Sequence, residues 1–131
     1  MLKITDEVTV SQQVYPTASS AVSGSTALDM SQYNKALVSV LAHRLPDQKG
    51  EGVITVSLYE TTNTTLNGQE VASSVVTGSI TSASDVYLEA EIKGKDMTVD
   101  SNYRYLYPYV VSSTGTVLSA SVIRGDKRYE V

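Results

Sequence analysis

The chain has 131 residues, 41% of them apolar, with a net charge of −4, nine tyrosines and no cysteine, tryptophan or phenylalanine. That length suits one domain, residues 1–131, burying roughly two-thirds of the surface its unfolded chain exposes. Disulfides, thiolate nucleophiles and cysteine-held metals are excluded, and the acidic balance opposes binding to the phosphate backbone of nucleic acid.

Valine, serine and threonine dominate the remainder. This is strand and turn chemistry, because β-branched side chains are stiff at χ1 and suit a pleated surface. The start, MLKITDEVTV, lacks a charged region followed by a long apolar run, so no signal peptide is expected. No apolar run approaches the ~20 residues of a membrane helix. The expected product is made and kept in the cytosol until assembled or released.

In chain order, Val8, Val10, Gln12 and Val14 share one face of a first strand, which Pro16 is expected to end. Residues 17–25 are small and polar. Two readings of residues 1–24 stand: an edge strand with its loop, or an extended arm that orders on a partner. Residues 26–30 pair briefly, and 29–34 form a turn through Asp, Ser and Asn side chains. The strongest strand is Lys35 to Arg44. Ala36, Val38, Val40 and Ala42 face one way, and Leu37, Ser39, Leu41 and His43 the other. Both faces are mostly apolar, so one cover is the core and the other a neighbouring subunit.

A strand over Val53 to Thr65 turns inward Ile54, Val56 and Leu58. Asn67-Gly68 predicts a two-residue type I′ turn. The return strand runs to about Thr81, with Gly78 as a bulge or twist point. Val86, Leu88, Ala90 and Ile92 point inward, while Tyr87, Glu89 and Glu91 point outward. Finally, Asn102 to Arg124 reads as a β-hairpin about SSTGT. Its first arm aligns Tyr103, Tyr105, Tyr107 and Tyr109 on one face. Pro108 marks that arm as an edge strand or a bulged one. About eight strands and no helix predict an all-β fold, an antiparallel β-sandwich of jelly-roll-like or immunoglobulin-like connectivity.

No residue cluster names a reaction. His43 is the only histidine, with no acid at triad or ligand spacing. Glu89 and Glu91 stand about 7 Å apart on one strand face, a solvated pair rather than the two walls of a cleft. Asp96 and Asp100 form no spaced calcium loop. Asn63-Thr64-Thr65 matches a glycosylation sequon and Arg124-Gly125-Asp126 a receptor tripeptide, both frequent by chance. The expectation is a non-enzyme with no cofactor and no metal. The tyrosine stripe is the one positive signal. It reads as a half-buried face under a loop, a protein interface, or a sugar-stacking platform, since tyrosine buries a large ring and keeps its hydroxyl wet.

Two stretches carry a resemblance. Residues 29–40, DMSQYNKALVSV, resemble the polar-Gln-aromatic-Asn segment and apolar strand of small structural proteins of tailed bacteriophages. Tyr103-Arg104-Tyr105-Leu106 and Ala120 to Tyr129 are similar to their closing pattern, which ends in Gly-Asp-x-Arg-Tyr. Ser57-Leu58-Tyr59-Glu60 sits where that family has a strand end, and an acidic pair expected after Glu60 is missing. The resemblance implies a capsid decoration (cement) protein on the outer virion surface, made in the host cytoplasm. It implies binding to the major capsid protein, with self-association, a trimer favoured, and no catalytic residues. The expected interface is Tyr103, Tyr105, Tyr107 and Tyr109 with Arg128 and Tyr129. The alternatives are a carbohydrate-binding or host-adhesion module, and a tail-tube or head–tail connector component.

Overall fold

The computed structural model describes residues 9–44, 52–80, 85–93 and 104–127. They form eight strands: β1 Thr9–Ser23, β2 Leu28–Asp29, β3 Tyr33–Arg44, β4 Gly52–Thr61, β5 Gln69–Glu70, β6 Val76–Ile80, β7 Val86–Lys93 and β8 Tyr105–Lys127. A single 3₁₀ turn, Ala72–Ser74, separates β5 from β6. Every pairing is antiparallel.

The strands fold into two layers, as the alternating patterns require. In the first layer β4 lies between β5 and β6 on one side and the first half of β8 on the other. In the second, β3 lies between β7 and the second half of β8. β1 runs beside β8 through both layers. Even-numbered residues of both layers meet in one core: Ala36, Val38 and Val40 of β3, Ile54, Val56 and Leu58 of β4, and Leu106, Val110, Leu118 and Val122 of β8. Period-two alternation puts them on one face, and their removal from water is the main stabilising term.

The expected hairpin over Asn102 to Arg124 does not form. β8 is one continuous strand, and each half finds its own partner, β4 or β3. The turn residues serve a bulge instead. Between the pairs Ala21↔Val111 and Ser19↔Thr116 the register advances two residues on β1 but five on β8. This excursion lies where β8 passes from one layer to the other, and bulges bend strands in this way.

Pro16 does not end β1, which continues to Ser23, so residues 9–23 belong to the sheet. Register shifts between Gln12 and Val14 and between Val14 and Thr17 accommodate the region around the proline. Pro108 is not on an edge strand: β8 is flanked on both sides. Its carbonyl accepts the Gly24 N–H at 2.8 Å, so its nitrogen faces the gap where β1 ends, and no bond to β4 is lost.

Asn67-Gly68 is not a two-residue turn, because β4 and β5 pair at Glu60↔Gln69 and leave a longer loop over residues 62–68. Gly68 is required by close approach: a Cβ there would stand 2.0 Å from the Glu60 carbonyl oxygen. Gly78 is in regular register opposite Ile54, not a bulge. Its missing side chain leaves room for Leu88 of β7, 2.8 Å from where a Cβ would stand. Where the return strand breaks at the 3₁₀ turn, buried Ser74 completes the ladder. Its Oγ accepts the Leu58 N–H at 2.9 Å and donates to the Val71 carbonyl at 2.6 Å.

The strand expected to reach Thr65 ends at Thr61, whereas the turn expected over residues 29–34 forms. Asp29 Oδ1 accepts the Ser31 N–H at 2.8 Å, making the turn into β3. Burial opposes ionisation of Asp29, but the Ser31 N–H and hydroxyl, with Arg104 and Arg124, outweigh it and hold the carboxyl below its usual range. Arg124 lies over the Tyr33 ring at 5.0 Å and donates to the Asp29 carbonyl at 2.9 Å, so its guanidinium ties β8 to the β2–β3 turn.

Candidate functional site

Each layer presents one outer face, set by the odd-numbered residues of β3, β4, β7 and β8 and by their neighbours on β1 and β5. The outer face of the second layer is built in rows across β7, β3, β8 and β1. At one end Tyr87 stands opposite Leu41, and Leu41 opposite Ser119, with Val117 in the next row beside His43. At the other end Glu91, Leu37, Ile123 and Val10 align. Val10 is 65% exposed, Tyr87 57%, Leu41 49% and Val117 38%, four uncovered side chains on this face, while Val53 and Val111 are uncovered on the first layer.

A polar row separates the two apolar ends. Ser39 donates to the Tyr87 hydroxyl at 3.0 Å, Tyr87 donates to Glu89 Oε1 at 2.5 Å, and Ser121 donates to Gln12 Oε1 at 2.7 Å. Two shallow depressions flank it. One is lined by Leu41, His43, Asp85, Val117 and Ser119, the other by Lys35, Leu37, Glu91 and Ile123. Leu37 and Leu41 are about 13 Å apart along β3. The face therefore offers two apolar footholds with a hydrogen-bonded bar between them.

His43 has an acid partner that sequence spacing did not reveal: its Nδ1 lies 2.6 Å from Asp85 Oδ1, both side chains well exposed. The antiparallel pairing of β3 with β7 ends at Ala42↔Val86, which brings the two residues together from 42 positions apart. No hydrogen bond joins Ser119 to this pair, and among the described residues no group of three or more His, Cys, Asp or Glu could hold a metal ion.

The outer face of the first layer carries the tyrosines. Tyr103, Arg128 and Tyr129 lie outside the described residues. Tyr105, Tyr107 and Tyr109 share one face of β8, as alternation requires, but they do not form an open stripe. Tyr107 is 4% exposed. Its hydroxyl accepts the Gly68 N–H at 3.0 Å, so the 62–68 loop covers it. Tyr105 is held by Arg104, which donates to its hydroxyl at 2.7 Å and lies 4.9 Å from its ring centroid. Tyr109 is partly exposed.

The sequence pattern missed the member that organises this cluster. Tyr59 of β4 stands opposite Tyr107, its ring centroid 5.6 Å from Tyr107 and 5.4 Å from Tyr109. Burial first, then Glu70, Tyr109 and Tyr107, push the Tyr59 phenol above its ordinary value. The clue was present in the outward parity of Thr55, Ser57 and Tyr59, but nothing in the chain order places β4 beside the first half of β8.

The fold class is thus an all-β antiparallel sandwich. No family model matches the chain, and no curated protein sequence matches it. Its structure is similar to solved structures of infectious bursal disease virus. One, from the Gx strain, is 11% identical with a TM-score of 0.56, covering 89% of this chain and 31% of that one. Another, from T=1 particles derived from the virus, is 13% identical with a TM-score of 0.57, covering 92% and 31%. The chain thus spans about a third of the length of these viral proteins. The xylan-binding CBM22-1 domain of Paenibacillus barcinonensis Xyn10C is 10% identical with a TM-score of 0.49, covering 95% of this chain and 89% of that one. At these identities the shared property is the fold, a jelly-roll-like antiparallel sandwich.

Proposed function

We propose that the chain is a virion structural protein that binds the outer surface of a tailed-phage capsid and stabilises it, a decoration or cement protein. The observation that carries this reading is the outer face of the second layer, with Val10, Leu41, Tyr87 and Val117 open to solvent on two sides of a polar bar. A sheet face of this composition gains by being covered, and a neighbouring subunit is the cover that the two apolar faces of β3 call for. The capsid-like sandwich and the resemblance to phage structural proteins support the same setting. The partner is the major capsid protein, with self-association into a trimer on the shell.

Cementing is a mass-action effect. A protein that binds the assembled shell and not separated subunits lowers the free energy of the shell alone. No reaction is needed, and the role proposed is non-enzymatic. The test is co-sedimentation of the purified protein with expanded phage heads stripped of accessory proteins, alongside unexpanded heads. Saturable binding to expanded heads, at a copy number matching local threefold or sixfold positions, supports the reading. Absence of binding to either head overturns it, and rings or tubes of the protein alone would then point to a tail-tube or connector role.

A further inference from the structure

We propose that the outer face of the first layer is a binding site for a neutral saccharide chain, seated on Tyr59 and Tyr109 with Glu70 as hydrogen-bond acceptor. The site lies on the opposite layer from the apolar face assigned to the capsid, so it does not rest on that assignment.

Three observations converge on it. The first is the rings. Tyr59 and Tyr109 are tilted 55° at 5.4 Å, and both keep part of their surface in water. Behind them, Tyr107 is pinned by Gly68, so the platform is held before any ligand arrives. The negative face of an aromatic ring attracts the weakly positive C–H groups on one side of a pyranose or furanose.

The second is the ground beside the rings. Across the sheet Tyr109 is flanked by buried Ser57 and half-buried Ser23, and the next row sets Thr55 between exposed Thr77 and exposed Val111. Short side chains beside tall rings make a step, with the Thr55 and Thr77 hydroxyls and the Val111 methyl groups at its foot. A flat protein interface needs no such step; a sugar ring standing on edge does.

The third is charge. Glu70 pairs with Tyr59 across β4 and β5, is exposed, and raises the Tyr59 phenol. It supplies a carboxylate beside the Tyr59 hydroxyl for sugar hydroxyls, which hold charge-assisted bonds well. The same carboxylate, in a chain of net charge −4, repels uronates and sialic acids. The ligand class is therefore a neutral saccharide, not an acidic one.

The test is titration of ¹⁵N-labelled protein with neutral hexasaccharides of glucose, xylose, mannose and N-acetylglucosamine, with oligogalacturonate as the acidic comparison. At least one neutral saccharide is expected to shift the amides of Ser57, Tyr59, Glu70 and Tyr109 saturably, with Kd of about 1 mM or tighter. Tyr109→Ala should weaken it about tenfold or more. Tyr109→Phe keeps the ring and should bind within about threefold, which separates lost stacking from lost folding. The proposal is overturned if no neutral saccharide moves these amides at about 10 mM. It is equally overturned if only the acidic chain does, or if capsid heads rather than saccharides protect this face.

Discussion

Two carboxylates placed on the second layer should detach the protein from the capsid without unfolding it. Leu41 and Val117 are 49% and 38% exposed, so their open surface together amounts to a little less than one whole aliphatic side chain. Removing that surface from water is worth about 1.5–2.5 kcal/mol. Replacing both with glutamate loses this term and also places two carboxylates in the contact without partners, at roughly 1–3 kcal/mol each. The double variant Leu41→Glu, Val117→Glu should therefore bind expanded heads at least about 100-fold more weakly, taking 1.4 kcal/mol per factor of ten. Its own unfolding free energy should move by only about 0.5 kcal/mol per site, because neither side chain is in the core. Val53→Glu is the matched control. Val53 is 50% exposed, but it lies on the first layer. Co-sedimentation across a concentration series gives the three dissociation constants. If the double variant binds within a factor of two of the parent, or Val53→Glu loses as much, the second layer is not the capsid face.

Ser74→Ala leaves the Leu58 N–H unpaired in the core, and the denaturant midpoint should report a loss of about 1–3 kcal/mol with an unchanged slope. Gly68→Ala forces the 62–68 loop off the Glu60 carbonyl and breaks the bond to Tyr107. Its expected cost is about 2–4 kcal/mol, accompanied by a change in near-ultraviolet tyrosine dichroism. Asp29 has its folded pKa below the ordinary 3.8, so the unfolded chain takes up its proton first as pH falls. Its contribution to stability is complete above that ordinary value and is lost as pH drops through the folded one, so Asp29→Asn should flatten stability over that acid window and change it little with pH near neutrality. Glu70→Gln removes a charge that raises the Tyr59 phenol, and spectrophotometric titration should find that group ionising at lower pH than in the parent.

The layers of this fold were legible because its strands obey a strict period of two. Ala36 to Ala42 and Val86 to Ile92 announce one buried face each, and that face is the core. What could not be read was which strands lie beside which. SSTGT has the chemistry of a tight turn, and locally a hairpin and a wide bulge ask for the same small residues. Only the separate demands of β3 and β4 for a partner decide between them, and those demands are tertiary. Pro108 misled for the same reason. Proline is excluded from a ladder only where its missing N–H was needed, and here the adjacent strand has just ended at Ser23. Of the tyrosine stripe, Tyr105, Tyr107 and Tyr109 share a face, half-buried under a loop of seven residues that covers Tyr107, and the neighbour Tyr59 comes from β4, which local pattern could not show. The His43–Asp85 contact was illegible because the antiparallel register that brings them together is fixed by the whole of β3 and β7.

The two outer faces differ in what they ask of a partner, and the difference follows from how each layer is finished. In the second layer β7 contributes Tyr87 and Glu89, and their hydrogen bonds run within the sheet, to Ser39 and along β7. The polar groups there are already partly satisfied, so the open surface left to a partner is mostly apolar and suits a broad protein contact. In the first layer the 3₁₀ turn and the 62–68 loop interrupt the strand edge, and the tyrosines gather against that interruption with Glu70 beside them. Rings tilted 35° and 55° to one another, with Thr55, Thr77 and Val111 in the next row, make a narrow step suited to a small ligand. A protein seated on its partner by the second layer would leave the first layer facing solvent. The sandwich separates these tasks by its own geometry: the side chains that fill the core between the layers hold the two faces apart and rigid, so one can be occupied without disturbing the other.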